Sequence, residues 1–260
     1  MPDRRSDRTM NRLLAMIFAL MLLLICVGCG GGGMGTPSQS PVQGNTQPAP
    51  PVQPAQPVQP APVGSKQFSM FGYTWKMHAS AAPGGGTFST ANVSVQPDRV
   101  VLTLDEDSTG NSTGAEIATV TPLSYGTYTF TYAQDMVQSG SIASGFSYIT
   151  GSVTEIDVEQ QGCYPQRWDF TNWQTTAHKG SSFVDGYDAT TYHTISYTWT
   201  ANRITWTMDG AQVAVHDEFV PSQAVPFLFN FWGTNNSKWG GMATAGTRHM
   251  TVVGFSFQPK

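Results

Sequence analysis

The residues best suited to chemistry are three carboxylates at two-residue spacing, Glu155, Asp157 and Glu159. Only 12% of the chain is charged, so three acidic residues within five positions stand out. In a β-strand, alternate side chains point to one face, which places the three carboxylates together and directs Ile156 and Val158 into the core. Carboxylates this close repel one another, and the repulsion raises the pKa of at least one of them. Hydrolysis of a glycosidic bond requires one ionised and one protonated carboxyl group.

The segments that must position these carboxylates are predicted to be short β-strands. From about residue 67 onwards the chain is rich in Thr, Ser, Val and aromatic residues and has no long helical periodicity. An Asp209-Gly210 pair between two alternating runs indicates a tight hairpin. Further strands are predicted over residues 100–104, 127–132, 192–200, 203–208, 213–215, 227–232 and 252–257. The pattern predicts an all-β fold, a two-sheet antiparallel β-sandwich (jelly roll) with a concave substrate cleft.

Several segments, taken in chain order, resemble those of glycoside hydrolase family 16, the concanavalin-like jelly-roll glucanases. The carboxylate strand itself is similar to the active-site strand of that family. The other segments that carry the resemblance are Gly114-Ala115-Glu116 with Tyr125-Gly126-Thr127-Tyr128, Gly140 to Thr150, Tyr192 to Trp199 with Ile204 to Gly210, and Pro226 to Trp232 with Trp239-Gly240. Together these segments span most of residues 70–255.

The resemblance implies roles for the three carboxylates. Glu155 corresponds to the nucleophile, Glu159 to the general acid/base, and Asp157 to the residue that tunes their protonation. A retaining mechanism needs two carboxyl groups about 5–5.5 Å apart. Alpha carbons four residues apart on a flat strand are separated by about 13 Å. We therefore expect strand curvature to bring the glutamate side chains together.

Sugar-binding residues are also implied by the resemblance. The candidates are Glu116, Tyr125, Asn172, Trp173, Asn230, Trp232 and Trp239. For each tryptophan, core packing is the alternative to stacking on a sugar ring, because tryptophan is usually mostly buried. Trp199 and Trp206 are expected to fill the core. The chain departs from the lichenase pattern at Ala118, where an arginine is usual, and at Gln160-Gln161, where an apolar residue is usual.

The spacing of the motif bears on the substrate. One residue separates Asp157 from Glu159, a form without a bulge that resembles the lichenases and the xyloglucan-active members of the family. We therefore expect a retaining endo-β-glucanase, with β-1,3-1,4-glucan as the favoured polysaccharide substrate. Two alternatives stay open, a transglycosylase on the same scaffold and a non-catalytic glycan-binding protein at the cell surface.

The N-terminal region is predicted to be a bacterial lipoprotein signal peptide over residues 1–28. Basic residues precede an apolar run from Leu13 to Val27, which is too short for a comfortable transmembrane helix. The following Cys29 resembles the residue that becomes lipidated in such proteins. Residues 29–66 then form a disordered Gly/Pro/Gln linker, and residues 67–260 form the jelly-roll domain. The expected location is the bacterial cell envelope, extracytoplasmic and lipid-anchored to a membrane, with the outer membrane favoured if there are two because Gly30 follows the cysteine.

Composition excludes several classes of partner and cofactor. Without the signal segment the chain keeps nine basic and 15 acidic residues, a formal net charge of −6, which argues against nucleic acid. The histidines lack metal-ligand spacing, and Cys163 is left as a single thiol once the N-terminal cysteines are set aside. We expect no required cofactor and a monomeric chain. A structural Ca²⁺ ion is left open, although no sequence feature indicates one.

Overall fold

The computed structural model describes residues 67–149, 151 and 154–260. The predicted signal peptide, Cys29 and the linker therefore lie outside the described residues. Among the described residues, no helix has both the length and the apolar character needed to cross a membrane.

The described chain folds almost entirely as β-strands, joined by turns and one 3-10 turn at Thr90–Asn92. The strands are β1 (Gln67–Met70), β2 (Tyr73–Met77), β3 (Ser80–Ala81), β4 (Thr87–Phe88), β5 (Val93–Val95), β6 (Val100–Glu106), β7 (Ser112–Thr119), β8 (Gly126–Gln134), β9 (Ser141–Tyr148), β10 (Glu155–Gln161), β11 (Arg167–Trp173), β12 (Lys179–Asp185), β13 (His193–Thr200), β14 (Arg203–Met208), β15 (Ala211–His216), β16 (Phe227–Gly233) and β17 (Gly246–Pro259). Each strand predicted from the sequence is present, with bounds that differ by a few residues.

Two antiparallel sheets are built from these strands. The first sheet has the order β1–β2–β7–β16–β9–β10–β11–β12. The second has the order β5–β6–β17–β8–β13–β14–β15. The start of β7 also pairs with β6, which links the sheets at one corner, and β4 runs parallel to that end of β7. This is the predicted jelly-roll sandwich.

The core lies between the sheets and is rich in aromatic residues. Alternate residues of β13 and β14 are fully buried, including Trp199 and Trp206, which confirms their predicted core positions. From the first sheet, Ile156 and Val158 of β10 are also fully buried in this core. Because side chains alternate along a strand, the residues between them point to the opposite face, away from the second sheet.

The predicted Asp209-Gly210 hairpin joins β14 to β15. Both residues have positive φ, 50° at Asp209 and 83° at Gly210, as a two-residue type I′ turn requires. The Asp209 carboxylate accepts a hydrogen bond from the Thr194 backbone N–H at 2.8 Å and pairs with His193 Nδ1 at 2.6 Å. His193 therefore has a structural role at this turn.

Candidate active site

Strand β10 carries the three carboxylates on the outer face of the first sheet. Glu155 and Glu159 are half-buried, and Asp157 between them is 6% exposed. The pairing of β10 with β9 and with β11 is continuous from residue 155 to residue 160, with no bulge. The outer-face placement inferred from the two-residue spacing therefore holds.

Asp157 is the most buried of the three carboxylates. Burial raises the pKa of Asp157 well above its usual value, and the charges of Glu155 and Glu159 raise it further. A hydrogen bond from the Trp173 side chain and the charge of Lys179 oppose this increase but do not cancel it. Asp157 therefore holds its proton more tightly than a solvated aspartate does.

The two glutamates differ in their surroundings. Burial raises the pKa of Glu155 to about 7. Burial, followed by the charges of Asp169 and Glu155, raises the pKa of Glu159 to about 8, although Lys179 lowers it. Groups this strongly linked titrate as a set rather than one by one. At neutral pH the set holds both ionised and protonated carboxyl groups, the combination that acid-assisted nucleophilic displacement needs.

Polar side chains continue the carboxylate face across the sheet, from β10 over β9 to β16 and β7. The Asn230 amide donates to Glu116 Oε2 at 3.2 Å, and His78 Nδ1 lies 2.6 Å from Glu116 Oε1. Ser144 on β9 lies between the two parts of this face, since it is the cross-strand neighbour of Asn230 on β16 and of Glu159 on β10. The Ser144 hydroxyl and the Asn230 carbonyl oxygen are buried and have no hydrogen-bond partner among the described residues. This arrangement thus brings predicted residues Glu116 and Asn230 onto the same face as the carboxylates.

Comparison with known proteins identifies the family of the chain. The family model described as Glycosyl hydrolases family 16 matches residues 65–250, most of the chain. The chain belongs to this family. It is accordingly a glycoside hydrolase.

Solved structures share the fold at low sequence identity. A prokaryotic β-1,3-1,4-glucanase (lichenase) derived from a mouse hindgut metagenome is 22% identical, with a TM-score of 0.65 over 72% of this chain and 93% of that one. The Bacillus licheniformis β-glucanase is 23% identical, also with a TM-score of 0.65, over 76% and 99%. The laminarinase catalytic domain from Thermotoga maritima is 14% identical, with a TM-score of 0.58 over 72% and 91%. A search of curated proteins finds no significant match.

Two of the predicted sugar-stacking residues of this glycoside hydrolase are packed away from solvent. Trp232 is 2% exposed and Trp239 is 8% exposed, and their ring centroids lie 5.1 Å apart. They form a small apolar cluster with Phe88 and Ile142. Gly84 closes over Trp232 so tightly that a Cβ at this glycine would lie 2.9 Å from the indole ring. Stacking of a sugar on Trp232 would require the segment around Gly84 to move.

Trp173 of the hydrolase lies on the carboxylate face, directly opposite Glu155. Its ring is 8% exposed and is covered by the Lys179 ammonium group, which lies 4.9 Å from the ring centroid. Burial lowers the pKa of Lys179. Because Trp173 also donates to Asp157, its placement favours a role in organising the carboxylates.

Asn172 and Tyr125 are not brought to the carboxylate face. Asn172 pairs with Ile156, so its side chain points to the opposite face of the sheet. Its amide donates to the backbone carbonyls of Glu218 and Phe219 at 3.1 and 2.8 Å, and its oxygen accepts from a histidine, His216, at 2.6 Å. Tyr125 packs edge-on against Trp199, with centroids 5.2 Å apart. Both residues stabilise the fold around the site.

Several residues near the carboxylates were not predicted from the sequence. Asp169 pairs directly with Glu159, and Phe183 pairs with Asp169 on the next strand. Arg167 and Gln161 bind Asp169, as described below. The alternation of β11 places Asp169 and Arg167, four and six residues before Trp173, on the Trp173 face, and this alternation was the one available signal. Among the described residues, no group of three His, Cys, Asp or Glu side chains is arranged to hold a metal ion.

Proposed function

We propose that this glycoside hydrolase is a retaining endo-β-glucanase, with mixed-linkage β-1,3-1,4-glucan as the favoured substrate. The observation that carries the proposal is the placement of Glu155 and Glu159 on one face, either side of a buried Asp157. The preference for mixed-linkage glucan is supported by the unbulged carboxylate strand and by the fold shared with a lichenase at a TM-score of 0.65.

In the proposed mechanism, Glu159 protonates the glycosidic oxygen while Glu155 attacks the anomeric carbon. A covalent glycosyl-enzyme forms and the shortened polysaccharide departs. Glu159, now ionised, removes a proton from water, which attacks the anomeric carbon and releases Glu155. Burial raises the pKa of both glutamates, and the charge of Asp169 acts in addition on Glu159, which suits Glu159 as the acid and Glu155 as the nucleophile. Asp157 stabilises each state by sharing its proton with the glutamate that carries charge.

The pH dependence follows from the same assignment. Activity requires Glu155 ionised and Glu159 protonated, so kcat/KM should fall below pH about 7 and above pH about 8. A bell-shaped profile with its maximum near neutral pH is the expected result. A maximum below pH 5 would contradict the assignment of buried, proton-retaining carboxylates.

The first test is release of reducing ends from β-1,3-1,4-glucan, laminarin, xyloglucan and agarose by the purified protein. Cleavage of mixed-linkage glucan that Glu155→Gln abolishes supports the proposal. Cleavage of a different polymer alone keeps the reaction and overturns the substrate. Binding without cleavage of any polymer would instead indicate a glycan-binding protein, and transfer to added oligosaccharides would indicate a transglycosylase.

Azide rescue separates the roles of the two glutamates. In Glu159→Ala the glycosyl-enzyme lacks a base to activate water, and azide, which needs no base, should restore turnover of an activated aryl glycoside and give a β-glycosyl azide. In Glu155→Ala azide replaces the nucleophile itself and should give the α-anomer. The reverse pattern of products would exchange the two assignments.

The N-terminal residues suggest a location for the enzyme. We propose lipidation of Cys29, which would tether the catalytic domain to the cell envelope through the Pro-rich segment that follows. Incorporation of labelled fatty acid into the full chain, and its loss in Cys29→Ser, is the expected result. A labelled Cys29→Ser variant would overturn the proposal.

A further inference from the structure

A fourth carboxylate faces the acid/base residue. Glu159 and Asp169 are direct partners on neighbouring antiparallel strands, and both point to the outer face of the first sheet. Cβ atoms of such a pair lie about 4.5–5.5 Å apart, and like charges at this distance are destabilising. The structure assigns Asp169 as a positioning residue whose negative charge keeps Glu159 protonated for its role as the acid. This inference rests on the proposed function, in which Glu159 protonates the leaving group.

Asp169 is held as an anion by three N–H donors. Arg167 donates to Oδ1 through Nε at 3.0 Å and through Nη2 at 2.8 Å, and Gln161 Nε2 donates to Oδ2 at 2.9 Å. The orientation of the Gln161 amide is fixed, because its oxygen accepts from the Gly240 backbone N–H at 3.0 Å. Asp169 can only be the acceptor in these contacts. Burial and, less strongly, the charge of Asp185 raise the pKa of Asp169, and Arg167 and Gln161 oppose that increase without cancelling it.

Arg167 is in turn fixed by aromatic rings. Its guanidinium carbon lies 3.7 Å from the centroid of the Phe183 ring and 5.2 Å from that of Tyr164. Phe183 is the direct partner of Asp169 on β12 and is 53% exposed. Stacking on Phe183 holds the guanidinium plane beside Asp169. Both N–H contacts of Arg167 go to the Asp169 oxygen that Gln161 does not use.

The other neighbours of Glu159 do not supply the same effect. On its β9 side, Glu159 pairs with Ser144, which carries no charge. On the β11 side, Asp169 contributes the charge that, after burial, does most to raise the pKa of Glu159 to about 8. In the described part of the chain, the other titratable or charged groups near Glu159 are Glu155 and Asp157 on its own strand, Arg167 on β11, Lys179 on β12, and Tyr132 on β8 of the second sheet.

Among the described residues, no carboxylate lies opposite Glu155 as Asp169 lies opposite Glu159. Its cross-strand partners are Tyr148 and Trp173, neither of which is charged at neutral pH. Strand pairing therefore gives the two glutamates different neighbours on β11. The nucleophile Glu155 lies opposite the aromatic Trp173, and the acid Glu159 lies opposite the anion Asp169. This asymmetry is a structural basis for the order in which the two glutamates lose their protons.

The test is the pH profile of kcat/KM for Asp169→Asn, with Asp185→Asn as the control. Asp185 is an exposed aspartate on the same face, and it is the cross-strand neighbour of Arg167 in the pairing of β11 with β12. Removing the Asp169 charge should move the alkaline limb of the profile about one pH unit lower, a tenfold loss of kcat/KM above that limb. Asp185→Asn should leave the limb within about 0.2 units of the parent, because its charge is solvated.

A second substrate separates tuning from a general loss of structure. An aryl glycoside with an activated leaving group needs little protonation, so Asp169→Asn should retain most of the parent's activity on it at alkaline pH. An unshifted alkaline limb in a folded Asp169→Asn protein overturns the inference. So does an equal loss of activity on both substrates. If the parent cleaves no polysaccharide, the proposed function fails instead, and the two failures are thereby distinguished.

A second variant covers the case in which Asp169→Asn does not fold. Asp169→Thr removes the same charge with a β-branched residue suited to a strand, and should again move the alkaline limb about one pH unit lower. An alkaline limb at the parent's position in folded Asp169→Thr would overturn the inference by itself.

Discussion

Replacing Glu159 by glutamine should abolish hydrolysis of polysaccharide and yet stabilise the protein at alkaline pH. The folded protein raises the pKa of Glu159 from 4.5 to about 8. Between these values the folded state keeps a proton that the unfolded chain releases. The contribution of Glu159 to stability is therefore fully present below pH 4.5 and is lost as the pH rises through 8. Glutamine has a similar shape and no charge, so the variant escapes this loss.

The size of the effect follows from the difference between the two pKa values. Each pKa unit corresponds to about 1.4 kcal/mol, so a difference of about 3.5 sets an upper limit of about 5 kcal/mol. Glu159 is only half-buried, and solvent screens part of its interaction with neighbouring charges. We expect Glu159→Gln to exceed the parent in unfolding free energy by about 2–3 kcal/mol at pH 9, with the difference vanishing near pH 4.5.

Urea denaturation of both proteins from pH 4.5 to pH 9 measures this difference. Glu218→Gln is the matched control, since it makes the same substitution at an exposed glutamate. The control should track the parent at every pH to within about 0.5 kcal/mol. Parallel pH–stability curves for Glu159→Gln and the parent would refute the reasoning, as would a variant that is less stable than the parent at pH 9.

Three further substitutions test the packing around the site. Gly145→Ala places a Cβ 2.7 Å from the Phe130 ring and should lower stability by about 2 kcal/mol in thermal unfolding, whereas an unchanged Tm would mean that the core can relax. Asn172→Ala removes the hydrogen-bond donor of two backbone carbonyls and should lower the unfolding free energy in urea by about 2 kcal/mol, while activity per folded molecule is retained. Loss of activity without loss of stability would instead indicate that Asn172 binds substrate. Arg248→Met leaves the buried Glu106 carboxylate unpaired and should cost about 3–5 kcal/mol at neutral pH, with a smaller cost in acid where Glu106 is protonated, and an equal cost at both pH values would contradict this.

The catalytic strand was predictable because its signal is entirely local. A two-residue alternation fixes which side chains share a face, and Glu155, Asp157 and Glu159 all satisfy it with buried residues between them. Their cross-strand neighbours were not predictable in the same way. Asp169 is ten residues from Glu159 in the chain, and only the register of β10 with β11 makes them partners. Register is set by the hydrophobic patterns of both strands together with the geometry of the turn between them, so the alternation within β10 alone could not give it.

The predicted sugar-binding residues show a second limit. Asn172 and Trp173 are adjacent in the chain, but consecutive residues of a strand face opposite sides, so both could not lie in the cleft. Only the register of β11 against β10 shows that Trp173, and not Asn172, shares the face of the carboxylates. Trp232 lies on the carboxylate side, but the backbone near Gly84 covers it, a contact between segments about 150 residues apart. Residue type alone cannot separate a covered tryptophan from an exposed one.

The position of β17 has a consequence for how the domain is made. This strand is the last of the described domain, yet it lies in the middle of the second sheet, hydrogen-bonded to β6 on one side and β8 on the other. Until residues 246–259 have been synthesised, β6 and β8 have no strand between them, and the second sheet cannot close over the core. Folding must therefore wait for the end of the domain and depends on contacts far apart in sequence, which slows it. For a chain with the proposed export signal, this delay would keep the polypeptide unfolded while it crosses the membrane. The active site would then be assembled for the first time after export.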